Sequence, residues 1–308
     1  MPAMFRSRTF LLAAPALVIM ALLPLGVGGY ILGLLTLAYY YAVFAMSWDL
    51  LFGFAGEVNF GPSFLIGVGA YTAALLNHYW LWPIPACLAA GAFAAVIGGA
   101  VLAVPALRLT GPYFGLVTLV AVLLLQNFIV IFAHVTGGEI GMTVPDVLSI
   151  DASVNYWYAL VFLLVCMAIL FGLSRSSVGL ILQASGQDAV AAQALGFNVT
   201  KHKIAAFCVS AVFSGMAGAM LVFYQGTASV DTVVNLSIDV QVIIAAVLGG
   251  RRTIIGAAIG AIFLVLAGEA LRPLGQLSTF VVSGIALLVI LFFVDGLMGL
   301  LRRRREET

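Results

Sequence analysis

The strongest constraint on this chain is the length of its stretches without a single Asp, Glu, Lys or Arg. Residues 9–48, 58–107, 109–138, 152–174, 204–230 and 273–294 carry none. A membrane helix takes about 20 apolar residues, so the longest of these windows each hold two spans. Of the 308 residues, 64% are hydrophobic and 8% charged, against about 25% charged in soluble domains. A water-soluble globule would need the missing charges for its surface. In hydrocarbon every backbone polar group must find a partner within the protein, which leaves helices or closed barrels. The runs lack the polar–apolar alternation of barrel strands, so an all-α, polytopic membrane protein is expected.

About ten spans are predicted, near 10–29, 30–52, 57–77, 84–107, 111–134, 155–174, 204–226, 236–250, 253–271 and 277–300. The first is longer than a signal-peptide core and is kept as a span. The third opens on Gly53, Gly56, Gly61 and Pro62, which predicts a broken entry; the eighth is short enough to be partly re-entrant. Basic residues set the orientation. With both termini inside, Arg6, Arg8, Arg108, Arg175, Lys201, Lys203, Arg251, Arg252 and Arg302 to Arg305 are all cytoplasmic, twelve of the 13, and only Arg272 is outside. The outer loop 135–154 carries Glu139, Asp146 and Asp151, and Gly137, Gly138 and Gly141 interrupt any helix there. It suits a partner surface, a pathway mouth or an ordinary connector.

Catalytic motifs are absent. The chain has no Gly-x-Ser-x-Gly elbow, no His-Glu-x-x-His and no phosphate-binding loop. Gly249 to Thr253 lacks the spacing and lysine of a phosphate cradle and reads as a tight turn. His78, His134 and His202 sit near span ends, and Cys87, Cys166 and Cys208 lie within spans without metal-ligand spacing. No catalytic residue, metal site or bound cofactor is expected. A net charge of +1 gives no argument for a nucleic-acid partner.

Charges inside spans are costly and therefore candidates for function. They are Asp49, Glu57, Asp239, Glu269 and Asp295. Asp49 and Glu57 flank the glycine turn. Asp239 is placed near the outer end of its span. Glu269 is one turn from Arg272, and Asp295 neighbours the arginine run. No span carries a ladder of acids and histidines, which argues against a proton- or sodium-driven carrier. Candidate pathway-lining residues come from the third and fifth segments: Glu57, Asn59, Phe60, Ser63, Phe64, Tyr113, Phe114 and Thr118. Glycine and proline near Asn59 free backbone groups that a pathway or a packed neighbour can use.

The polar segment 175–203 stands out between apolar runs. Ser185 and Asp188 have capping-box spacing. Asp188, Ala191, Ala192 and Leu195 fall at i, i+3, i+4 and i+7, one helix face. Gly196 is placed as the stop, and Asn198 or Thr200 as the cap of the next span. A short helix with a small-residue face suits docking in a groove on another protein. Gln187, Asp188, Ala191, Ala192, Leu195 and Gly196 are its candidate contacts.

Trp48 to Tyr71, Leu107 to Leu119, the loop Thr136 to Gly141, the helix Asp188 to Gly196 and the turn Val247 to Gly250 occur here in one order. In that order they resemble the inner-membrane permeases of branched-chain amino acid ABC importers, the LivM type. The resemblance implies a single permease domain over 1–308, with 175–203 as its cytoplasmic coupling loop, in a bacterial inner membrane. It implies a second, homologous permease, two ATPase subunits that bind the ATP and Mg, and an extracytoplasmic solute-binding protein. The solute would be a branched-chain or other amino acid, urea, an amide or a small organic acid. Two departures stand out. Leu180, Gln183 and Gly186 are uncharged where the family carries arginines, and Glu57, Asn59 and Pro62 replace its more usual Gln, Ser and His. The competing class is a secondary transporter or channel that works alone.

Overall fold

The computed structural model describes residues 18–106, 112–275 and 284. Helices dominate: α1 (Gly29–Asp49), α2 (Pro62–Trp80), α3 (Ile84–Ala106), α4 (Pro112–Ile131), α5 (Ala133–Thr136), α6 (Ala152–Arg175), α7 (Ser177–Gln187), α8 (Ala189–Ala194), α9 (Val199–Gln225), α10 (Val230–Val233), α11 (Leu236–Gly249) and α12 (Ile254–Ala270). The all-helical expectation has one exception. Strands β1 (Met142–Thr143) and β2 (Thr227–Ala228) pair antiparallel. Such short strands carry too few residues to show alternation in the sequence.

Six helices among the described residues are long and apolar enough to cross a membrane: Gly29–Phe54, Ile84–Pro105, Tyr113–Ile131, Ala152–Arg175, Val199–Gln225 and Val230–Gly249. Ile254–Ala270 is a shorter apolar helix, and α2 adds 19 residues. Eight expected segments therefore coincide with helices. The segment near 277–300, with Asp295 and the arginines after it, lies outside the described residues apart from Gly284, and so does much of the first.

Helix α1 runs through the centre, with α6, α9, α11 and α12 packed around it. Tyr39, Tyr40, Phe44 and Trp48 are buried along it. Helix α9 lies against α2 and α3. That crossing is built on glycine: a Cβ on Gly91 would sit 2.6 Å from the Gly69 carbonyl oxygen, and one on Gly69 would strike the Gly215 backbone. Helices in lipid gain little from apolar burial, so close backbone approach supplies the packing.

Arg175, Lys201, Lys203, Arg251 and Arg252 all belong to the end of the bundle that carries α7 and α8, the loop end. Arg272 follows α12 at the far end. There the acidic loop is tied down: Asp146 accepts from Asn77 Nδ2 at 2.8 Å, His78 Nδ1 lies 2.8 Å from the Thr143 carbonyl, and Tyr79 donates to the Val135 carbonyl at 3.0 Å. Ile140 and Ile150 remain almost fully exposed on it. Glu269 pairs with Arg272 at 3.1 Å, as their spacing predicts, and Tyr30 joins them with its hydroxyl.

Candidate functional site

Helix α1 ends in a π-helical turn, Leu50–Phe54, and the chain then crosses to α2 without regular structure. Several of its polar groups are engaged. Trp48 Nε1 donates to the Asn59 carbonyl at 2.6 Å, and Asn59 Oδ1 accepts from the Gly61 N–H at 2.9 Å. Pro62 opens α2, where its missing N–H costs nothing. The broken entry predicted from the glycines and proline is present.

Two acids on α1 and α11 then join the same two regions in opposite directions. Ser63, in the first turn of α2, donates its N–H to Asp239 Oδ1 at 2.6 Å and its hydroxyl to Oδ2 at 2.9 Å. Asp239 lies in the first turn of α11 and is buried. It stands ten residues before Gly249, about 15 Å up a helix of 1.5 Å rise. It is thus in the turn of α11 farthest from the loop end, as expected from the sequence, and its carboxylate is buried between helices. A carboxylate at a helix N-terminus is held by free N–H groups and by the positive end of the dipole. In the other direction, Asp49 Oδ1 accepts from the Arg252 N–H at 3.1 Å in the turn between α11 and α12, and Arg252 Nε donates to the Gly53 carbonyl at 3.0 Å. Arg251 lies over the Phe52 ring at 4.4 Å. The sequence Gly249 to Thr253 is the tight turn expected.

The candidate pathway residues divide accordingly. Asn59, Ser63, Phe114 and Thr118 are buried. Phe114 packs edge-on to Phe207, and Thr118 accepts from the Phe60 N–H at 3.0 Å. Glu57 makes an ion pair with Lys203 at the start of α9. Phe64 is half-buried, and only Phe60 and Tyr113 are exposed. Glu57, Ser63, Phe114 and Thr118 thus join helices. Polar side chains at a helix break serve the broken backbone first, which is why the sequence pattern pointed to them.

The polar segment folds as two helices. Ser185 donates to the Ile181 carbonyl at 2.8 Å inside α7, so it is no cap. Asp188 is extended and accepts from the N–H groups of Val190 and Ala191, both at 2.9 Å, to start α8. Gly196 at φ +88° closes α8: its N–H reaches the Gln193 carbonyl, and the Phe197 N–H reaches the Ala192 carbonyl. Asn198 caps α9 through the Lys201 N–H at 3.0 Å. Gln187, Asp188, Ala191, Leu195 and Gly196 are exposed, whereas Ala192 is buried against the protein. The proposed single face is therefore split, with Val190 and Leu195, each 76% exposed, at the apolar tip.

This loop is seated on the α1–α2 connection. A Cβ on Gly186 would lie 2.7 Å from the Phe54 carbonyl oxygen, and one on Gly56, at φ +74°, would lie 2.9 Å from the Gly186 Cα. An arginine at 186 has no room here. The Glu57–Lys203 pair closes the same contact from the other side. Among the described residues no group of acids, histidines and cysteines is arranged to hold a metal ion.

A cleft of about 630 Å³ between α1, α11 and α12 escaped the sequence reading. Ser237, Gln241, Tyr41 and Glu269 are its polar lining, among aliphatic side chains. The exposed positions of α11 (Leu236, Ser237, Val240, Gln241) were the signal: two polar residues four apart on one face.

The family model described as the permease component of branched-chain amino acid transport systems matches residues 30–294. The permease LivM of Salmonella typhimurium is 26% identical, covering 96% of this chain and 76% of that protein. LivM of Escherichia coli is 28% identical over 87% of this chain and 69% of its own length. LivH of Escherichia coli is 25% identical over 86% and 92%. No solved structure matches the chain significantly. These relatives are transport permeases and not enzymes, and the apolar helices fit a multi-pass membrane protein. The chain belongs to the family of permease components of branched-chain amino acid transport systems.

Proposed function

We propose that this chain is the transmembrane subunit of an ATP-binding-cassette importer in a bacterial inner membrane, with both termini cytoplasmic. It forms half of the pathway for a small polar solute: a branched-chain or other amino acid, urea, an amide or a small organic acid. A second, homologous permease supplies the other half. Two ATPase subunits hold the ATP and Mg and dock on residues 187–196. An extracytoplasmic binding protein delivers the solute to the far end, where Ile140 and Ile150 project. The observation that carries this reading is the apolar tip of α8, projecting Val190 and Leu195 while its base is locked to the α1–α2 connection through Gly56, Gly186 and Glu57–Lys203. A push on α8 reaches membrane helices through contacts that have no slack, as rigid-body switching requires. Helix α8 lacks the Trp, Phe and Lys that lipid-surface helices favour.

The test is reconstitution. Purified chain, second permease and ATPases are expected to copurify and to take up radiolabelled L-leucine, urea or benzoate only with ATP and the binding protein. Uptake of any of these by the isolated chain in vesicles without ATP would establish a carrier or channel instead.

A further inference from the structure

Helix α11 shows one side to the cleft between α1 and α12. On that side stand Ser237 and Gln241, four residues apart and both exposed. Neither side chain makes a hydrogen bond among the described residues, unlike Thr36, Ser47, Thr72 and Ser210, whose hydroxyls all donate to carbonyl oxygens. Gln241 stands eight residues before Gly249, about 12 Å from the loop end of α11 and so well inside a hydrocarbon layer of about 30 Å. A primary amide there with no partner is unfavourable if it faces lipid. Polar residues at that depth face a water-filled cavity or a polar partner. The cleft has the space. Its walls are aliphatic, with Leu37 and Leu264 beside Gln241's face; Tyr41, eight residues before Asp49, adds a polar group at the depth of Gln241, and Glu269 adds one towards the far end. Asn59, Ser63 and Thr118 have their polar groups engaged between helices, whereas Ser237 and Gln241 offer theirs to the cleft.

We propose that the α1–α11–α12 cleft is this chain's wall of the solute pathway, with the Gln241 amide and the Ser237 hydroxyl as its hydrogen-bonding groups. An amide that both donates and accepts, set in an aliphatic wall, suits a small solute with a polar end and an apolar body. The proposal rests on the reading of the chain as a permease.

The test uses single cysteines in the assembled permease–ATPase complex in nanodiscs. Cys208, the one native cysteine that is partly exposed, is first replaced by alanine. Cysteines are then placed singly by Ser237→Cys, Gln241→Cys and Phe263→Cys. Phe263 belongs to the other exposed stripe of α12, with Ile259 and Leu266. The probe is the membrane-impermeant cation methanethiosulfonate ethyltrimethylammonium. Positions 237 and 241 are expected to react at least tenfold faster than 263, at rates that change when ATP and vanadate trap the ATPases. Modification at 241 is expected to stop ATP-driven uptake. Rates at 237 and 241 no faster than at 263 would overturn the proposal, whether lipid or another polypeptide covers the cleft. Failure of the ATPases to copurify with the Cys208→Ala chain would instead count against the permease reading, and the labelling rates of the isolated chain would still decide the cleft.

Discussion

Ser63 and Asp239 meet in the first turns of α2 and α11, and the serine gives its N–H to one carboxylate oxygen and its hydroxyl to the other. The first turn of α2 is thus capped from α11, whose own N-cap is Asn235. Removing the acid strands two buried donors, each worth about 1–3 kcal/mol when unpaired. Asp239→Ala is expected to cost about 3 kcal/mol and Ser63→Ala about 1 kcal/mol. Thermal midpoints of the detergent-solubilised protein measure this. Equal shifts for the two variants would mean that the N–H of Ser63 does not depend on Asp239.

Glu57 and Lys203 are about one-sixth exposed, with side-chain exposures of 17% and 15%. Breaking such a partly buried pair leaves one charge without a partner. Glu57→Gln and Lys203→Met are each expected to lower the thermal midpoint. Their double mutant should lose less than the sum, with a coupling of about 1–2 kcal/mol. Simple additivity would remove this pair from the connection between α9 and the α1–α2 break.

Around α8 the two kinds of position should part company. Leu195→Asp and Val190→Asp put charge on the exposed apolar tip. They are expected to reduce copurification of the ATPases at least tenfold at an unchanged thermal midpoint. Ala192→Leu overfills a buried site and should destabilise the permease itself by about 1–3 kcal/mol. A Leu195→Asp variant that keeps its ATPases would move the docking surface elsewhere.

Gly186 and Gly56 cross with no space for a side chain. Gly186→Val is expected to cost about 2 kcal/mol or more through displaced backbone. Gly56→Ala should cost about 1–2 kcal/mol from its left-handed conformation alone. Gly172→Ala in α6, where a methyl meets nothing within 4 Å, serves as the control and should be neutral or stabilising by up to about 1 kcal/mol. Melting curves and ATP-driven uptake read all three.

Much of the helical layout was legible because charge avoidance in a membrane is a local property. Each charge-free run announces its helix without reference to the rest of the chain. The α2 break was equally local, since Gly61 and Pro62 carry it. Gly196 and Asn198 were readable because their capping bonds span only a few residues. Ser185 misled because a serine inside a helix can satisfy itself on the carbonyl one turn back, as it does on Ile181. The Ser63–Asp239 contact was not readable, since 176 positions separate its members and nothing in either helix names the other. Gln241 was overlooked for the converse reason. Its importance lies in a partner it lacks, and only the surroundings reveal that.

The Ser63–Asp239 contact also sets a timetable for synthesis. Ribosomes add about 5–20 residues per second. After Ser63 enters the membrane, roughly 10–35 s pass before Asp239 is made at that pace. Throughout that interval the start of α2 has no carboxylate to receive its free N–H, and Asp49 likewise waits for Arg252, 203 positions later. The first half of the chain is therefore inserted before it can be finished. A nascent chain arrested ahead of residue 239 should be a preferred substrate of membrane quality-control proteases, whatever solute the completed protein carries.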